Sequence, residues 1–169
     1  MNNFVVFASA NSRLHADIIL VRLRRAEIDY RKVSVLFPAN SIPNAVGCWL
    51  PVASNSKLRA GREIIVCAGL LRKHSVGSSG GHDDGREILD LLTQAGVDAP
   101  GADTLAERLG QGHIILGVHA ANETQAAVAW HVFRHSCADS IVVNSLQPTH
   151  RGSRHRENQV FAPWVPAAA

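Results

Sequence analysis

The sequence is poor in several things at once. It has three cysteines, Cys48, Cys67 and Cys137, an odd number without close metal-ligand spacing. That excludes a disulfide-built scaffold and suits a reducing interior. Aromatic residues make up only 5% of the chain, and the strand-like runs do not alternate them onto one exposed face, so a base-stacking sheet for RNA is not expected. No uninterrupted apolar run approaches the roughly 20 residues of a membrane span. The start, "MNNFVVFASANS", has no basic stretch ahead of a long apolar run, so no secretory leader is expected. A net charge of +3, from 17 Lys and Arg against 14 Asp and Glu, is too small to mark a nucleic-acid binder, and much of it lies in "HRGSRHRENQ". Phosphate loop, dinucleotide fingerprint, serine-nucleophile elbow and HExxH are all missing. The expectation is a soluble, cytoplasmic chain with no cofactor and no metal.

What is present is enough for a core. Hydrophobic residues are 46% and charged residues 18% of 169, which suits one folded domain rather than disorder. Phe4 to Ala8 reads as a short buried strand. Capping candidates follow in "SANS", then "RLHADIILVRLRRAEI" as a helix with Leu14, Ile18 and Val21 on one face and Asp17, Arg24 and Arg25 on the wetter side. Lys32 to Phe37, β-branched and stopped by Pro38, reads as a second strand.

The pattern repeats about a hundred residues later. His113 to His119 reads as a strand, and Asn122 with Gln125 makes a capping-box-like start to "ETQAAVAWHVFRHS". Ala126, Ala129, Trp130, Phe133 and Cys137 fall on one apolar face, and Ile141 to Val143 reads as a fourth strand. Two such units, interleaved as right-handed crossovers, give a four-stranded antiparallel sheet with two helices on one face, the ferredoxin-like βαββαβ sandwich of the α+β class. A small, mostly parallel open sheet is the alternative; two complete units and no visible third favour the former.

This places a domain at 1–147, a long, partly helical insertion at 38–111 between the second and third strands, and an irregular basic, proline-containing tail at 148–169. Within the insertion, residues 57–74 fit a helix or a strand equally. "REILDLLTQAG" reads as a helix ended by Gly96 and started from Asp83 or Asp84, and "DAPGADTLAERLGQG" as a turn and a short helix.

At "LRRAEI" (Leu23 to Ile28) and Ser34 to Pro38, and again at Gly96, Val97, Ala102, Gly112, Ile114 to His119, Ala138, Asp139 and Ile141, the chain resembles an uncharacterised bacterial general-stress and low-temperature-induced family with a glycine-rich central region. Leu105, Ala106 and Cys137 depart from its tyrosine, glutamate and glycine. The resemblance implies a stress-associated role. Its small-residue central helices, suited to a membrane, are replaced here by a stretch carrying Arg59, Arg62, Glu63, Arg72, Lys73 and His74, and each charge at bilayer depth costs about 2.5–3.5 kcal/mol.

For chemistry, the strand-to-helix loops stand first. Ser9, Asn11 and Ser12 in one unit, and His119 and Asn122 in the other, sit where free N–H groups of a helix start suit a small anion or polar ligand. His131 and His135, four apart, lack a third ligand. His82, Asp83 and Asp84 read as a surface loop. Cys67 and Cys137 are expected to be buried and Cys48 to be more open; an enzyme would require Cys48 to meet His74, His82 or a carboxylate in one cleft. The leading expectation is a non-enzymatic stress-associated or regulatory domain acting by self-association, in the simplest case as a dimer, or by protein binding. Trp49 and Trp164 are its candidate contact residues. A small-ligand sensor is the alternative.

Overall fold

The computed structural model describes residues 3–41, 56–60, 63–69, 71 and 86–146. In chain order these form β1 (Asn3–Ala10), α1 (Arg13–Arg25), a 3-10 turn (Tyr30–Lys32), β2 (Val33–Pro38), β3 (Ser56–Ala60) and β4 (Glu63–Gly69). After them come α2 (Arg86–Gln94), α3 (Ala99–Gly110), β5 (Ile114–Ala120), α4 (Glu123–His135) and β6 (Asp139–Leu146). The strands make one six-stranded sheet in the order β3-β4-β2-β5-β1-β6. Each neighbouring pair is antiparallel, and the fold is α+β. The segment that fitted helix or strand equally holds β3 and β4, with Ile65, Val66 and Cys67 of β4 buried and β4 paired between β3 and β2.

The runs "VVFASA" and "VSVLFP" are apolar without alternation because both faces of their strands are covered. On one face Val6, Ala8, Ala10, Val35, Leu116 and Val118 pack under α1 and α4, which contribute Ala16, Ile19, Leu20, Leu23, Ala126, Ala129 and Phe133. On the other, Val5, Phe7, Leu36, Ile65, Cys67 and Ile115 pack under α2 and α3, which contribute Ile88, Leu91, Leu92, Ala102, Leu105 and Leu109. This corrects the expectation of helices on one face only. The insertion supplies the second layer, and the expected short helix there is a 12-residue one, capped by Asp98, whose carboxylate accepts the Gly101 N–H at 3.2 Å.

Between the two layers, Gly117 of β5 leaves room for a ring. A Cβ there would lie 2.2 Å from Phe7 Cε1. The Phe7 ring thus occupies the space a side chain at Gly117 would need and is 1% exposed.

Two face assignments differ from the sequence reading. In α1 the buried residues are Ala16, Ile19, Leu20 and Leu23, whereas Leu14, Ile18 and Val21 are 70%, 43% and 44% exposed. The helix carries an apolar row on each of two opposite sides, and the larger packed row took the sheet. Cys137 is exposed rather than buried. α4 stops at His135, and Cys137 turns out of the helical path with φ 54°, which removes it from the stripe formed by Ala126, Ala129 and Phe133. Cys67 is buried, as expected.

Candidate interaction surface on the α1–α4 layer

The two strand-to-helix loops do not converge. Phe4 pairs with Ala120 and Ala10 with Ile114, so the loops lie at opposite ends of β1, about 20 Å apart. Ser9 belongs to the strand. It is fully buried, and its hydroxyl donates to Asp139 O at 3.2 Å, where the β1–β6 register shifts. Ser12 is the N-cap of α1 and accepts the His15 N–H at 3.2 Å; Asn11 Oδ1 lies 3.1 Å from His15 Nδ1. Asn122 caps α4 by accepting the Gln125 N–H at 2.9 Å, and Gln125 Oε1 in return accepts the Ala121 N–H and the Lys32 ammonium. The capping-box-like start read in the sequence forms with its return bond one residue earlier, at the Ala121 N–H, and these polar atoms serve the helix start.

His119 lies within β5 rather than beyond it, half-buried and edge-on to Phe7 at 5.9 Å. Its Nε2 is 3.3 Å from the hydroxyl of Ser34, a fully buried residue that also accepts the Leu71 N–H at 3.1 Å. This node ties the chain beyond β4 to β2. Trp49, Trp164, Cys48, His74, His82, Asp83 and Asp84 lie outside the described residues. His131 and His135 stack at 6.0 Å, and among the described residues no group of three potential ligands gathers for a metal. Nor does any described helix have the length and apolarity to cross a membrane.

The feature that sequence reasoning missed is on the outer side of the α1–α4 layer. At about 100° per residue, Leu14, Ile18 and Val21 line up opposite the buried row of α1, with Arg25 in line with them. Beside this ridge runs a shallow, open groove of about 540 Å³ lined by Arg22, Val128, His131, Val132 and His135. Two side chains of α1, seven residues apart and so on one face, fix the groove by closing the C-terminal end of α4. Arg22 donates to His135 O at 2.7 Å and to Ser136 Oγ at 3.2 Å, and His15 Nε2 donates to Ser136 O at 2.6 Å. Donors at a helix C-terminus satisfy carbonyls that have no partner within the helix. At the opposite flank of α4, Arg134 lies over the Trp130 ring at 5.1 Å. The signal in the sequence was the second row of apolar residues at helical spacing, which the first row made easy to misassign.

No protein-family model matches the chain, and no curated protein or solved structure matches it.

Proposed function

We propose that this protein is a non-enzymatic association domain that works through the outer face of α1 and the adjoining α1–α4 groove. One observation carries the reading. Leu14, Ile18 and Val21 form a contiguous apolar row in solvent on a sheet whose two faces already have their helical layers, so the row is not needed to close the core. An exposed apolar row rimmed by polar residues marks an interaction site. The order β2-β5-β1-β6, with α1 and α4 on one face, supports treating these elements as a ferredoxin-like βαββαβ unit that β3, β4, α2 and α3 elaborate. A stress-associated or regulatory setting comes from the resemblance at Ser34–Pro38 and Ile114–His119. Pairing with a second copy is one form of this association. The edge strand β6, with Val143 36% exposed, offers a second copy another place to add.

The test is a photo-crosslinking residue at position 18, compared with one at the exposed position 103 on α3, in growing cells of the source organism. An adduct from position 18 alone, to itself or another protein, that disappears with Leu14→Glu supports the reading. Equal adducts from both positions, or none from 18, overturn it.

A further inference from the structure

We infer that the occupant of this face is an acidic amphipathic helix rather than a second copy of the chain. The inference rests on the association reading above and adds the partner's chemistry. α1 carries four arginines, Arg13, Arg22, Arg24 and Arg25, against one acid, Asp17. By helical angle Arg22 stands on the groove side of the apolar ridge and Arg25 in line with the ridge, while Asp17 lies on the far flank. Among the described residues, none that lines the groove is acidic. Arg22 is held in place by its bonds to His135 O and Ser136 Oγ, so its charge is fixed at the groove.

Two copies meeting here by a two-fold axis would bring Arg22 and Arg25 of each copy, four arginines in all, around one small apolar patch, and like charges brought together across an interface oppose it. A helix with apolar residues at i, i+3, i+4 and i+7 and carboxylates on either side meets both features. Its apolar row lies along Ile18, Val128 and Val132, and its acids face Arg22 and Arg25. The 13 residues of α1 span about 20 Å, so about four turns of partner helix suffice.

The experiment uses the full chain and a fluorescent synthetic helix of about 18 residues with leucine at those positions and glutamate elsewhere, followed by anisotropy. A lysine-for-glutamate version of the peptide and anionic phosphatidylserine vesicles serve as comparisons. The glutamate peptide should bind, the lysine peptide should not, and binding should weaken on going from about 0.05 to about 0.5 M salt. Arg25→Glu should weaken binding about tenfold and Ile18→Glu should abolish it, both positions being exposed and so safe for the fold. Equal binding of both peptides, or binding to vesicles alone, overturns the acidic-helix inference. A dimer in sedimentation that Ile18→Glu dissociates, with no peptide bound, also overturns it but leaves the association face standing. A monomer that binds no probe overturns both.

Discussion

Gly117→Ala adds one methyl beneath the Phe7 ring, and its cost follows from the packing there. The new Cβ would stand 2.2, 2.6 and 2.7 Å from three atoms of that ring, against an ordinary carbon contact of about 3.5 Å or more. The ring must therefore withdraw by about 1 Å. Phe7 is 1% exposed, lies in the core under α2 and α3 and meets the His119 ring edge-on, so it has no solvent to move into. Overpacking of this kind costs about 1–3 kcal/mol. The smaller unfolded-state freedom of alanine returns about 0.4–1 kcal/mol. A net loss of about 1–2 kcal/mol is expected, or a fall in Tm of about 2–8 °C for a chain of this length. Urea unfolding of Gly117→Ala, Phe7→Leu and the double variant completes the assay. Because the smaller side chain gives the methyl its space, the double variant should be more stable than the sum of the single losses by at least about 1 kcal/mol. A neutral or stabilising Gly117→Ala, or losses that simply add, would refute the ring-on-glycine packing.

Ser34→Ala strips the buried Leu71 N–H of its acceptor and His119 of its hydroxyl partner, and should cost about 1–3 kcal/mol in urea unfolding; a loss below about 0.5 kcal/mol would show that water replaces the hydroxyl there. At the C-terminal ends of α1 and α4, Glu27 and Cys137 hold φ values of 59° and 54°, where α2 and α3 place Gly96 and Gly112. Since a side chain costs about 1–2 kcal/mol in that conformation and glycine gives back about 0.5–1 in entropy, Cys137→Gly and Glu27→Gly should each raise stability by about 0.5–1 kcal/mol, whereas Gly96→Ala should lower it. Thermal unfolding measures all three, and a destabilised Cys137→Gly would contradict the assignment of that turn.

Much of the strand-helix-strand framework was legible because periodicity and capping agreed: Asn122 with Gln125, Ser12 before α1, and Pro38 at the end of β2 all occupy the places their chemistry suggested. The second helical layer was less so. Continuous apolar runs such as Val33 to Phe37 state that a strand is buried twice, but not by what, and "EIIVCAG" fits a buried helix as well as a strand until its neighbours are known. The face of α1 could not be read at all from spacing. Ala16, Ile19, Leu20 and Leu23 repeat as regularly as Leu14, Ile18 and Val21, and only packing against the sheet chooses between them. Spacing along the chain does not show where the two strand-to-helix loops sit relative to each other; the antiparallel β1–β5 pair sends the two strand ends in opposite directions and sets the loops apart. His15 and Arg22 gave no local hint of their role, because the carbonyls they bond lie more than a hundred residues away.

The interaction surface exists only if Ile18 and not Ile19 faces the solvent, and thermal unfolding of Ile18→Asp beside Ile19→Asp measures that directly. Ile19 is fully buried and Ile18 is 43% exposed, so Ile19→Asp should cost more than about 4 kcal/mol or prevent folding, while Ile18→Asp should stay within about 1 kcal/mol of the parent. The reverse outcome, a tolerated Ile19→Asp and an unfolded Ile18→Asp, would turn the helix over and remove the interaction surface with it.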